Sequence, residues 1–331
     1  MDLLLICLLS VLFGSAASWV LSFIAPKFGL IDYPNKRSSH REPTPKGGGV
    51  GILITFVFAS LFFKIPGGFW IPATFLSLIS LFGDRFDFSP KIRLPVQFVA
   101  AFALLLTMNP IQLFQTNRLI LILPLSVFIV GTVNFYNFMD GINGISAITG
   151  IVAFGLLAFL YFDVEADKLF SLLSLCICLS CIGFLPFNIP KARIFMGDVG
   201  SILLGFVFAS MVIVLAKNFQ DFISLSSLLF PFYADELSTM AIRIRDGENL
   251  LHPHRRHLYQ LLVNEKGIPH WEVSIVFGLL QLIIGVSFMW LKPLGIIVNL
   301  FLLAAYFGLF IGCSVIVRRN LYRSTSELEN V

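Results

Sequence analysis

The sequence predicts an all-α fold, a polytopic helical bundle embedded in a membrane, and three observations carry that reading. Of 331 residues, 57% are hydrophobic and only 13% are charged, with a mean hydropathy of +0.89. Apolar runs near the ~20 residues needed to cross a bilayer recur along the whole chain. Lys and Arg fall overwhelmingly on alternate connections between those runs. No soluble globular domain of this length needs so much apolar surface, and the even spread of the runs argues for one bundle rather than two domains. A single membrane domain over 1–317 with a short tail at 318–331 is therefore expected.

Eleven spans are expected: Leu3–Ile24, Gly47–Phe63, Phe69–Phe82, Leu94–Met108, Leu119–Val133, Ile145–Phe162, Leu169–Phe187, Ile202–Ala216, Phe222–Ile242, Val273–Leu291 and Leu294–Val317. Asp2 precedes the first run and no basic region does, so it reads as a retained span despite the small residues Ala16-Ala17-Ser18. The run Phe69–Phe82 is the shortest and needs Pro66 to Gly68 added, or partial burial. Eighteen of the 23 Lys and Arg lie on one set of connections, among them Lys46, Arg93, Lys191, Arg255 and Arg256. By the positive-inside rule that set is cytoplasmic, with the N-terminus outside and the C-terminus inside. All five cysteines sit in apolar runs, and Cys176, Cys178 and Cys181 read as small packing residues, since no His or acid accompanies them.

Five cytoplasmic stretches carry the polar chemistry. Asp32 to His40 leads to Pro43-Thr-Pro-Lys-Gly-Gly-Gly49, which reads either as a phosphate cradle with exposed backbone N–H groups or as an ordinary basic loop. Gly83-Asp84-Arg85-Phe86-Asp87 ends an apolar run and places Asp84 as a metal ligand or as a partner of Arg85. In Asn134 to Gly144, the residues Asn134, Asn137, Asp140 and Asn143 recur every third position. Such a row spirals around a regular helix unless Gly141 and Gly144 break it. Asn188 to Lys191 continues to Phe195-Met-Gly-Asp-Val-Gly-Ser201, where Asp198 offers a carboxylate to Mg²⁺ or caps a helix. The last stretch, Arg243 to Gln260, holds His252, His254, Arg255, Arg256 and His257, with His270 further along the same connection. It suits a pyrophosphate grip, an incomplete zinc site or an interfacial basic helix.

Asp84, Asp140 and Asp198 each end or open a span on the same side. Carboxylates, a rim of cations and glycine turns suit Mg²⁺ with a di- or polyphosphate. A transporter or flippase of a phosphorylated solute is the main alternative. Transporters place ionisable groups near the midplane between repeated halves, whereas these acids sit at one rim and the halves do not repeat.

In its motifs the chain resembles the polyprenyl-phosphate N-acetylhexosamine-1-phosphate transferase family. That family includes the bacterial enzymes that start O-antigen and enterobacterial common antigen synthesis and the translocase that makes lipid I. Asp32-x-Pro with Arg37, His40 and Pro45-x-Gly-Gly looks like its first loop, and Asp84-Arg-Phe-Asp with Arg93-Leu and Gln97 like its second. Asn134-x-x-Asn-Phe-Met-Asp-Gly-Ile-Asn-Gly and Asn188 with Phe-Met-Gly-Asp-x-Gly-Ser are close to its strongest motifs. His254-Arg-x-His-Leu-Tyr-Gln is similar to the histidine loop of the O-antigen branch.

The resemblance implies transfer of a sugar 1-phosphate from a UDP-N-acetyl sugar to undecaprenyl phosphate, releasing UMP, at the cytoplasmic face of a bacterial inner membrane. It implies Mg²⁺, replaceable by Mn²⁺, held by Asp198 and Asp84. Asp84, Asp140, Asp198 and His257 make the implied catalytic set. Asn134, Asn137, Asn143, Asn188, Lys191, Phe195, Arg255 and His254 make the substrate-binding set, with Phe195 stacked on uracil. The lipid bilayer is an implied partner, a homodimer is compatible, and nucleic acid is not expected. Two positions depart from the family pattern: Gly83 stands where a first Asp is usual, and Asn143 where some relatives carry Asp. A lipid phosphate with a second pKa near ~6 is already largely dianionic at neutral pH, so a base at 83 is dispensable.

Overall fold

The computed structural model of the chain describes residues 2–35, 38–86, 88–108, 118–165, 167–250 and 254–328. Arg37, Asp87 and His252, singled out from the sequence, lie outside the described residues. The chain is an all-α bundle of thirteen helices among those residues: α1 Leu3–Ile24, α2 Val50–Phe62, α3 Gly67–Phe86, α4 Pro90–Met108, α5 Arg118–Phe138, α6 Ile145–Tyr161, α7 Lys168–Phe184, α8 Asp198–Leu215, α9 Phe219–Ser226, α10 Phe230–Arg245, α11 Leu258–Asn264, α12 His270–Leu291 and α13 Ile296–Leu328. Seven of them are long and apolar enough to cross a membrane, and α2 and α6 are shorter apolar helices.

Ten of the expected spans correspond to single helices. The eleventh, Phe222–Ile242, is divided between α9 and α10 by a 3-10 turn at Ser227–Leu229. Pro231 sits in the first turn of α10, where its missing N–H costs nothing and its fixed φ favours a start. Asn218 caps α9 by accepting the Asp221 N–H at 2.9 Å. The helix α13 continues past Val317 to Leu328.

The helix α8 is the axis of the bundle. Eighteen residues long and apolar on every side after Asp198, it packs against α2, α3, α5 and α6. A helix hydrophobic all round is stable only when enclosed, and nearly every residue of α8 is buried. By contrast α1 and α13 are peripheral and expose most of their apolar surface. Small residues let the helices approach closely, as they must where lipid supplies no hydrophobic drive between them. On α1 and α7, Gly14 faces the Ser180 backbone and Gly183 faces the Val11 carbonyl. The cysteines Cys176, Cys178 and Cys181 are buried in α7 as packing residues.

One end of the bundle collects the five polar stretches. A two-residue antiparallel ladder, β1 Ile31–Asp32 with β2 Thr44–Pro45, closes the first loop. That loop then docks on the segment leading into α8: Phe195 N–H donates to the Pro45 carbonyl at 2.8 Å, and Gly48 and Gly49 N–H donate to the Phe195 and Met196 carbonyls at 2.9 Å each. Those donors are spent inside the protein, so the triple glycine is a docking surface and not the exposed phosphate cradle that the sequence left open. Gly49 and Gly200 meet backbone to backbone, and a Cβ on either would collide with the other's Cα.

Gly49→Ala is therefore expected to destabilise the ligand-free protein by about 2–3 kcal/mol or more, since neither backbone can yield. Gly308→Ala, with nothing within 4 Å of the added methyl, is expected to be neutral or mildly stabilising. Thermal unfolding of the two variants in detergent checks this, and equal melting temperatures would contradict the packing.

Candidate active site

Docking of the first loop on the α8 entry brings the acids together. Gly197 adopts φ +73°, open to glycine at low cost, and this turns the chain so that the Asp198 N–H points at Asp84. The Asp84 carboxylate, at the end of α3 and only 4% exposed, accepts that N–H on Oδ2 at 2.8 Å. Its Oδ1 lies 3.5 Å from Lys46 Nζ. The Asp198 carboxylate pairs with Arg93 on Oδ2 and accepts Asn137 Nδ2 on Oδ1 at 2.9 Å. Asn137 also donates to Ser201 Oγ at 3.0 Å, which ties the end of α5 to the first turn of α8.

Asp84, Lys46, Asn137 and Asp198 border a cavity of about 350 Å³ at the polar end of the bundle. Asp84, Asp198, Asp140, Asn137, Asn143, Asn188 and Phe195 all line it, so seven of the residues singled out from the sequence converge. The turn at 139–144 places Asp140 on the cavity wall. Burial, reinforced by the carboxylates of Asp198, Asp84 and Asp32, pushes the Asp140 carboxyl up to about 8. Negative charge gathered at low exposure is the field a cation relieves. Among the described residues no three His, Cys, Asp or Glu side chains form a closed metal cage. Mg²⁺ needs no such cage: it commonly takes one or two carboxylates and completes its shell with water and substrate phosphate. Asp84 and Asp198, linked by the backbone N–H and each already facing a cationic side chain, fit that requirement.

Some of the singled-out residues take other places. Asn134 donates to Gln97 Oε1 at 2.7 Å and to the Val130 carbonyl, and does not line the cavity, because the three-residue spacing turns it away along α5. Asn188 lines the wall but is chiefly a brace: its Oδ1 accepts the Gly144 N–H and its Nδ2 donates to the Ile194 carbonyl at 2.9 Å. Lys191 is exposed, paired with Glu42 at 2.9 Å, and borders a neighbouring recess of about 260 Å³. Arg255 is exposed and 3.6 Å from Glu265.

The histidine loop approaches through α11 rather than through its histidines. His257, expected in the catalytic set, is buried behind the cavity wall, 3.5 Å from Glu236 and 3.9 Å from Asp235 on α10. Burial, together with His254, Arg318 and Arg243, pushes it down to about 3, so it stays neutral and offers no charge to a phosphate. Burial pushes His254 down to about 4. Asp235 accepts the first N–H groups of α11, from Leu258 at 2.8 Å and Tyr259 at 3.2 Å. The helix so held presents Gln260 to the cavity and Tyr259 to the Phe138 carbonyl at 2.9 Å.

Asp32, His40, Lys46 and His270 are among the cavity residues that do not belong to the site residues expected from sequence. Asp32 and His40 lie 3.7 Å apart, and His40 packs edge-on against Phe195 with ring centroids 4.9 Å apart. For Lys46 a signal existed: it is the one cation inside the Pro-Thr-Pro-Lys-Gly-Gly-Gly run. Nothing in the local sequence around His270 marks it.

A family model described as glycosyl transferase family 4 matches residues 67–216. The chain is 30% identical over 278 residues to an undecaprenyl-phosphate alpha-N-acetylglucosaminyl 1-phosphate transferase of Thermotoga maritima, covering 81% of this chain and 85% of that protein. It is 29% identical over 323 residues to a decaprenyl-phosphate N-acetylglucosaminephosphotransferase of Mycobacterium leprae, covering 84% and 81%. A probable undecaprenyl-phosphate N-acetylglucosaminyl 1-phosphate transferase of Bacillus subtilis is 28% identical over 299 residues, covering 85% and 82%.

Removing the Asn188 brace leaves two buried backbone groups unpaired, at about 1–3 kcal/mol for each. Asn188→Ala is expected to lower the melting temperature of ligand-free protein, whereas Lys191→Ala, which removes only an exposed ion pair, is not. Equal effects of the two substitutions would contradict the division between brace and rim.

Proposed function

The chain belongs to glycosyl transferase family 4, among the polyprenyl-phosphate N-acetylhexosamine-1-phosphate transferases, and from that premise we propose that it moves an N-acetyl sugar 1-phosphate from a UDP-sugar to undecaprenyl phosphate. The products are undecaprenyl-diphospho-sugar and UMP. The observation that carries this reading is the convergence of Asp84, Asp140 and Asp198, from three separate stretches, on one cavity with Asn137 and Asn143.

An oxygen of the lipid phosphate attacks the β-phosphorus of the UDP-sugar, which bears the sugar. The bond from that phosphorus to the bridging oxygen breaks, and UMP leaves with the oxygen and its electron pair. Catalysis of this kind is mostly positioning and charge stabilisation. Asp198 and Asp84 would hold Mg²⁺, which when bound supplies positive charge against the diphosphate. Lys46 and Arg93, already paired with those carboxylates, add positive charge beside the same phosphates. Asn137 fixes the Asp198 carboxylate through its hydrogen bond at 2.9 Å, and Asn143 and Phe195 offer an amide and an aromatic face to the nucleoside.

An apolar surface beside α5 would suit the polyprenyl chain of a lipid acceptor. An apolar groove of about 420 Å³ runs between α5, α10 and α13, lined by Phe128, Phe135, Phe230, Tyr233, Leu303 and Phe307 among others. The distribution of Lys and Arg supports eleven crossings with the N-terminus outside, the C-terminus inside and the cavity at the cytoplasmic face of a bacterial inner membrane. Initiation of O-antigen or a related surface polysaccharide is the pathway role in keeping with the histidine-loop variant. A transporter is less well supported: the acids gather at one end, and the central α8 carries no ionisable group beyond Asp198.

Purified protein given Mg²⁺, undecaprenyl phosphate and radiolabelled UDP-sugars is expected to release UMP with at least one N-acetyl sugar. Absence of UMP with every sugar would refute the reading. Asp198→Asn, which keeps the Asn137 contact but loses the charge, is expected to lower turnover by about 100-fold or more while the protein stays folded. Near-normal turnover would remove Asp198 from the metal site.

A further inference from the structure

The helix α12 reaches the cavity although the reaction described above gives it no task. His270, its first residue, lines both the main cavity and the neighbouring recess. Its Nδ1 lies 3.2 Å from the backbone N–H of Asn143. A backbone N–H can only donate, so this ring nitrogen presents a lone pair, and the imidazole is neutral with its proton on Nε2. One turn along the same helix, Ser274 Oγ donates to the Asn143 carbonyl at 2.8 Å. Both backbone groups of Asn143 are thus held by α12.

The far side of the turn is held as well. Asn143 Nδ2 donates to the Pro190 carbonyl at 3.2 Å, and the next residue, Gly144 at φ +90°, gives its N–H to Asn188. The turn hangs between α12 and the 188–190 segment. Together His40, Phe195, Asn143 and His270 border both the main cavity and the recess, so the position of Asn143 governs the shape of both.

We propose that His270 is a positioning residue of the donor site: by accepting the Asn143 N–H it sets the orientation in which the Asn143 amide meets the nucleotide end of the donor. The identity of that ligand rests on the function proposed above; the clamp itself does not. Loss of one such hydrogen bond would displace Asn143 without touching the carboxylates. The effect therefore falls on binding of the donor and spares the chemical step.

Three variants separate this from a merely structural role. Asn places its amide oxygen near the position of the imidazole Nδ1, whereas Gln places its own near Nε2 and Leu offers no acceptor. Hydrogen–deuterium exchange at the Asn143 amide, measured on ligand-free protein in detergent, is expected to stay slow in wild type and His270→Asn and to quicken in His270→Gln and His270→Leu. With undecaprenyl phosphate saturating, the apparent KM for the UDP-sugar is expected to rise about tenfold in His270→Gln and His270→Leu, with kcat within about threefold and His270→Asn close to wild type. Unchanged exchange in His270→Gln would overturn the clamp. Unchanged KM, or a His270→Asn variant as impaired as His270→Leu, would overturn the positioning role. A wild type without turnover on any UDP-sugar would sink the proposed reaction, and the exchange measurement would still decide the clamp. Should His270→Leu fail to fold, the Asn and Gln pair decides alone.

Discussion

A single hydrogen bond, from the backbone N–H of Asp198 to the side-chain carboxylate of Asp84, joins residues 114 positions apart and fixes the site. It forms only because the first loop and the entry to α8 share backbone hydrogen bonds and touch at Gly49 and Gly200. Any side chain at either glycine would part the two segments. With them would go the approach of Lys46 to Asp84 and of the acids to each other. The chemistry of the cavity is in this sense a consequence of close backbone packing between α2 and α8, the most enclosed helix in the bundle.

The same arrangement explains how so much charge is tolerated at the end of an apolar bundle. Buried carboxylates are costly unless paired or hydrogen-bonded. Asp84 meets Lys46 and an N–H, and Asp198 meets Arg93 and Asn137. Asp140 keeps its proton more readily than an ordinary carboxylic acid, because burial and its neighbours oppose ionisation. A rigid core carries the loops, the loops carry the polar groups, and a cation bound among the carboxylates would lower the cost of ionising Asp140.

Much of this was legible in the residues. Apolar runs located the helices because the period-free, span-length stretches leave few alternatives in a membrane. Asp84, Asp140 and Asp198 could be recognised because each stood at a boundary between an apolar run and a polar loop. The break between α9 and α10 is hidden in the sequence, although Pro231 marks it, because an unbroken apolar run outweighs one proline. Asn134 belongs to a three-residue repeat that a regular helix does not keep on one face, and it bonds to Gln97 rather than lining the cavity. His257 illustrates a different limit. A histidine among arginines reads as phosphate-binding, and only the fold reveals Asp235 and Glu236 behind it. The part played by His270 depends on a partner 127 residues away, which no local pattern encodes.

The convergence of the three acids on one bound diphosphate is tested most directly by a cryo-electron-microscopy map of the protein in lipid nanodiscs with Mg²⁺ and a UDP-N-acetyl sugar. Diphosphate density touching Asp198 and enclosed by Asp84 and Asp140, with the nucleoside toward Asn143 and Phe195, is the expected result. Density bound elsewhere, at the Arg255 loop for instance, with the three carboxylates untouched, would contradict it.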